Sequence, residues 1–93
     1  MANGVSKDIS RIIYSQEIER ALIIWKKKDK AVFEQIESAI GKILHEPLVG
    51  KPLRYAMKNR RRVHIGSFVL VYEFHNRDLC FLDFDHHDHV YKK

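Results

Sequence analysis

Arg60-Arg-Arg-Val-His-Ile-Gly-Ser-Phe-Val-Leu-Val-Tyr-Glu-Phe74 is the stretch on which the fold turns. Gly66-Ser67 is a two-residue turn signal between two runs of strand-forming residues, the pattern of a β-hairpin. The first run alternates, with Arg61, Val63 and Ile65 on one side and Arg60, Arg62 and His64 on the other. The second, Phe68 to Phe74, is almost all apolar, as expected of a central strand covered on both faces. His75-Asn-Arg-Asp78 then reads as a second turn, and Leu79-Cys-Phe-Leu-Asp-Phe84 as a last strand. Three antiparallel strands in a meander follow from this stretch and the strand after it. A charged tail, Asp85 to Lys93, ends the chain.

Working backwards from the hairpin, Leu48 to Asn59 contains Gly50 and Pro52 and reads as a basic loop. Before it, Phe33, Ile36, Ile40 and Ile43 step by three and four, and Val32, Ala39 and Leu44 widen the stripe. Glu34, Gln35, Glu37, Ser38 and Lys42 fall on the other side of this helix, which Pro47 stops and Asp29 caps. An earlier helix spans about residues 16–27, with Ser15 as N-cap, Glu17 and Glu19 in the first turn and Lys26-Lys-Lys28 at the end. Each sign suits the helix dipole. Its apolar side is Ile18, Ala21, Leu22 and Trp25. Ile9-Ser-Arg-Ile-Ile-Tyr14 is a first strand at an edge, and residues 1–7 are a frayed lead-in. The order predicts an α+β fold: an N-terminal strand, a helical hairpin, then an antiparallel three-stranded meander, with the helices on one face of the sheet. The opposite face is expected to carry the function.

At 93 residues the chain is expected to form one domain, 45% hydrophobic and 31% charged, too apolar for disorder. A single cysteine, Cys80, excludes an internal disulfide framework and fits a reducing compartment as a small buried hydrophobe. The first residues carry no apolar run of a signal peptide, and no stretch approaches the roughly 18 apolar residues of a membrane helix. Cytoplasmic localisation and no membrane partner are expected. There is no Walker loop, dinucleotide fingerprint or Gly-x-Ser-x-Gly elbow, and no cofactor is expected. Tyr14, Tyr55, Tyr72 and the phenylalanines are assigned mainly to the core.

Charge is not spread evenly. Lys51, Arg54, Lys58, Arg60, Arg61 and Arg62 lie within fourteen residues that hold no acid. The chain has 17 basic and 12 acidic residues, so without these six it carries a net −1. A local positive field of this kind attracts polyanions, chiefly nucleic-acid phosphates. These six residues are the candidate phosphate contacts. The competing reading is a charged sheet edge that discourages aggregation. His64, two residues from Arg62, is a candidate acid or base because an ordinary imidazole titrates at about 6.5. The end of the chain, Asp83-Phe-Asp-His-His-Asp-His-Val-Tyr91, concentrates three of the six histidines with three aspartates. Acid–base catalysis by His86 or His87 with Tyr91 competes here with a plain hydrophilic terminus. Metal binding is not expected, since adjacent ligands such as His86 and His87 converge poorly on one ion. Tyr91, after a polar run, is the aromatic best placed to stack on a base.

Over about residues 9–92 the sequence resembles the RelE/ParE superfamily of type II toxin–antitoxin toxins. The pieces that carry the resemblance are Glu46-Pro-Leu-Val-Gly-Lys-Pro-Leu-Arg54, the stretch from Arg60 to Phe74, and the closing His86-His-Asp-His-Val-Tyr91. The resemblance implies a microbial RNase-type sheet. RelE-type members cut mRNA in the ribosomal A site by metal-independent attack of the 2′-OH on the adjacent phosphate. By position, Arg62 and His64 match the family's basic pair, His86 its histidine and Tyr91 its closing tyrosine. Two positions depart: Val69 and His87 stand where the family pattern has arginines. The resemblance implies a cognate antitoxin, mRNA and the ribosome as partners, and a toxin–antitoxin hetero-oligomer. Its alternatives are a ParE-like inhibitor of DNA gyrase without chemistry of its own, and a degenerate relative that only binds RNA or antitoxin.

Overall fold

The structure, a computed structural model, describes residues 4–53 and 59–92, the last two by backbone alone. Arg54, Tyr55 and Lys58, and the side chain of Tyr91, therefore lie outside the described residues. In chain order the elements are β1 (Arg11–Tyr14), α1 (Gln16–Lys28), α2 (Lys30–His45), β2 (Lys51–Pro52), β3 (Arg60–Ile65), β4 (Phe68–His75), β5 (Asp78–His86) and α3 (His87–Lys92). The five strands form one sheet in the order β1-β5-β4-β3-β2. β1 runs parallel to β5, and every other pair is antiparallel. The fold is α+β, and no described helix is long and apolar enough to cross a membrane.

The helices form where the sequence predicts, for the reasons it predicts. The Ser15 hydroxyl accepts from the Ile18 amide at 3.1 Å and caps α1. The Asp29 carboxylate accepts from Ala31 and Val32, so one residue ends α1 and starts α2. Ile18, Ile36 and Ile43 are fully buried and meet Leu70, Tyr72, Leu79 and Phe81 of the sheet. Each such side chain contributes about 1.5–3 kcal/mol by leaving water. Trp25 closes this layer edge-on to Phe68, ring centres 5.1 Å apart.

Both hairpins use left-handed backbone at the expected positions. Gly66 has φ +61° at the first turn position, as a II′ turn requires. Asn76 and Arg77 both have positive φ, as in a I′ turn.

Four expectations need correction. The basic loop contains a fifth strand: Lys51 and Pro52 pair with Arg62 and Arg61. The charged tail is not a tail, because β5 continues through His86 and α3 follows. Val90 is the reason, since it buries itself against Val69 and Val71 on the face away from α1 and α2. That face is therefore partly covered rather than fully open. The lead-in is also fastened over its described part, since Ser6 N donates to Leu44 O and the Arg77 guanidinium to the Lys7 and Asp8 carbonyls. Finally, Tyr14 is 38% exposed and Cys80 half-buried, so neither is a core residue.

Candidate functional site

Residues paired directly across a sheet point to the same side, so the register defines the face opposite α1 and α2. Its first row is Arg60, Glu73 and Cys80. The next is Lys51, Arg62, Val71 and Asp83, and the last is His64, Val69 and Asp85. The face is polarised. Cations and His64 line the β2–β3 side, and Asp83 and Asp85 line β5. The valines between them are roofed by Val90 of α3. A phosphate chain would find its attraction along β2 and β3, and repulsion at β5.

The cationic edge is braced from behind. The buried Tyr72 hydroxyl donates to Pro47 O at 2.6 Å and accepts from the Gly50 amide at 2.9 Å. A side chain at position 50 would lie 2.8 Å from that hydroxyl and 2.9 Å from Arg62 O, so glycine is what lets the loop approach. Burial raises the Tyr72 phenol above its ordinary pKa, and the Gly50 amide partly offsets this. Arg61 is turned towards the helix side, and its Nη1 donates to Leu48 O at 3.2 Å and Gly50 O at 2.7 Å. It was grouped by sequence with the phosphate contacts, but these bonds make it a loop brace. Arg62 Nη1 donates to Pro52 O, which ties its head to β2. The result is a braced backbone that sets Lys51 beside Arg62.

The candidate histidines separate into two groups. His64 is exposed on the polarised face. His86 pairs with Phe68, lies towards the helix side, and meets that ring edge-on at 5.9 Å. His64 and His86 therefore flank the sheet rather than share a surface. His86 and His87 stack at 4.8 Å, with Asp88 beside both at 3.7 and 3.2 Å. The Asp85 carboxylate accepts from the His86 amide at 2.7 Å and lies 3.2 Å from His89 Nδ1, fixing the strand-to-helix junction. The sequence argument was that adjacent His86 and His87 converge poorly on one ion, and the structure shows that their rings at least come together. They stack because the backbone turns from strand to helix between them.

On the same face, burial first and Glu73 second raise the Cys80 thiol, which keeps it protonated and a poor nucleophile. The Tyr72 latch and the aspartates of β5 were not identified from sequence as part of this surface. Gly50, a glycine between Pro47 and Pro52, was the available signal for the first. Strict alternation after Phe81 would mislead for the second, because β5 is irregular opposite Val71 and Tyr72.

Comparison with known proteins agrees with this architecture. Residues 6–91 match the sequence profile of the family described as the ParE toxin of the type II toxin–antitoxin system parDE. A Methanocaldococcus jannaschii protein named as a candidate toxin, RelE4, is 44% identical over 71 residues, covering 73% of this chain and 71% of its own. Among solved structures, a YoeB/ParE toxin from Agrobacterium tumefaciens superposes with a TM-score of 0.74 at 16% identity, over 84% of this chain and 99% of that one. The toxin–antitoxin complex RelBE2 from Mycobacterium tuberculosis gives 0.63 at 24% identity, over 90% and 99%.

Proposed function

Because the chain belongs to the RelE/ParE superfamily of type II toxin–antitoxin toxins, we propose that it stops translation as an endoribonuclease acting on ribosome-bound mRNA. The observation that carries this reading is the braced row of Lys51 and Arg62, flanked by Arg60 and His64 on one face. Cleavage by an adjacent 2′-OH needs a base for that hydroxyl, an acid for the departing 5′-oxygen, and cations for the added phosphate charge. Arg60, Arg62 and Lys51 take the cationic role, and His64 is the base beside them. His87, at the start of α3, is the acid once its ring turns off His86 towards the His64 face. His86 leans on Phe68 and is left out of proton transfer. Arg54, Lys58 and Tyr91 keep the roles the sequence suggests, as phosphate contacts and stacking platform.

The partner is a cognate antitoxin. This is supported by the RelBE2 relative, a toxin–antitoxin complex, and by an apolar groove of about 530 Å³ between α1 and α2, lined by Leu22, Ile23, Phe33, Ile40 and Leu44. The second reading, a gyrase poison, draws on Val69 at a family arginine position and on Asp83 and Asp85, which share the face with the cations across Val71 and Val69. Inducing the chain without antitoxin and pulse-labelling protein and DNA synthesis separates the two. Protein synthesis failing first, with Arg62→Ala and His64→Ala relieving the arrest, is the expected result. DNA synthesis failing first overturns the ribonuclease reading.

A further inference from the structure

Consecutive side chains on a strand point to opposite faces, and on a helix they are about 100° apart. His86 closes β5 and His87 opens α3, so neither rule separates them. Their rings stack at 4.8 Å with an interplanar angle of 25°. Asp88 follows and places one carboxylate oxygen 3.7 Å from His86 Nδ1 and the other 3.2 Å from His87 Nδ1. One ligand atom from each of the three residues lies within 4.8 Å of the other two. The Asp88 amide donates to His86 Nδ1 at 3.3 Å, so an ion bound at that nitrogen would displace this hydrogen bond.

From this geometry we propose that His86, His87 and Asp88 form a binding site for a divalent transition-metal ion of the zinc class. Two imidazoles and one carboxylate suit Zn²⁺, Co²⁺ or Ni²⁺, whereas Ca²⁺ and Mg²⁺ favour all-oxygen shells. Ligand atoms about 2.0–2.1 Å from a tetrahedral ion stand roughly 3.4 Å apart, so closure needs a contraction of about 1.4 Å. The three side chains are 39%, 44% and 60% exposed, so they can rotate inward without opening the core. Three protein ligands leave a fourth position to water. The junction is already held by Asp85, through the His86 amide and His89.

Resting on the ribonuclease reading, a consequence follows for regulation. An ion shared by His86, His87 and Asp88 would hold the His87 ring in the cluster and away from the leaving oxygen. Zinc would then act as a reversible inhibitor, removed by a chelator.

The test uses the purified full chain after chelator treatment, titrated with Zn²⁺ by calorimetry and with Co²⁺ by visible absorption. One ion per chain and tetrahedral cobalt bands are expected. Asp88→Asn should weaken binding tenfold or more, and His86→Gln with His87→Gln should abolish it, with circular dichroism confirming the fold. Absence of binding overturns the proposal, as does equal binding by these variants, which would move the ion to other histidines. Added Zn²⁺ should block RNA cleavage by the unaltered chain and spare Asp88→Asn at the same concentration. Ion binding by a chain that cleaves no RNA leaves the metal site standing and removes the ribonuclease reading.

Discussion

Replacing Tyr72 by phenylalanine isolates the latch behind the cationic edge. The ring keeps its volume, so the packing against Phe81 and the helices is preserved and no cavity opens. What disappears is one buried hydroxyl with two partners, Pro47 O at 2.6 Å and the Gly50 amide at 2.9 Å. Tyr72 is fully buried, and Gly50 and Pro47 are buried with it. Each polar group left without a partner costs about 1–3 kcal/mol. The Pro47 carbonyl can recover water as the loop relaxes, which sets the expectation at about 2 kcal/mol in total. For a chain of this size that corresponds to a fall in Tm of roughly 8–16 °C. Urea unfolding followed by Trp25 fluorescence is the direct assay, because that indole packs on Phe68 and Phe84 in the main core.

A second readout separates the latch from general loosening. Amide exchange at Gly50 should accelerate more than exchange in α2, since only Gly50 loses its acceptor. The salt dependence of RNA binding should also flatten as Lys51 and Arg62 lose their fixed spacing. A stability change below about 0.5 kcal/mol, or a loss of stability with Gly50 exchange unaltered, refutes the latch.

Gly50→Ala should cost about 1–3 kcal/mol, because the new methyl meets the Tyr72 hydroxyl and Arg62 O inside contact distance. Gly41→Ala should instead stabilise by about 0.5–1 kcal/mol, as a Cβ there meets nothing within 4 Å and glycine is a poor helix residue; paired denaturant melts check both signs. Val90→Ala should cost about 1–2 kcal/mol and speed amide exchange in α3, since Val90 is, among the described residues, the side chain of this helix that packs on Val69 and Val71. Unchanged α3 exchange would mean that the helix is held otherwise. Burial raises the Tyr72 and Tyr14 phenols and the Cys80 thiol in the fold. Their contribution is complete below the unfolded values and is lost as pH rises through the folded ones, so stability should decline above about pH 8.5–10. Melting temperatures across that window check it, and Tyr72→Phe should shallow the decline.

The helical hairpin and the meander were legible because local chemistry specifies them. Ser15 and Asp29 cap where hydroxyl and carboxylate reach free amides. The stripe from Phe33 to Ile43 has the period of a helix, and Gly66-Ser67 takes the left-handed turn that few residues accept. The excess of positive charge on residues 51–64 was equally plain, since charge is a property of composition. Three things were decided only in three dimensions. Lys51 and Pro52 are too short a strand to signal themselves, and they pair because Tyr72, from a strand twenty residues later, holds their loop. Alternation already separates Arg61 from Arg62 in the sequence, but that Arg61 braces the loop through Leu48 O and Gly50 O is visible only in the fold. The register of β5, irregular near Leu82, sets Asp83 and Asp85 opposite the cations and brings His86, His87 and Asp88 together at the start of α3. A sequence pattern records which side chains exist and their local period. Which of them meet depends on register and on where the chain turns, and those are fixed by long-range burial rather than by neighbours in the chain.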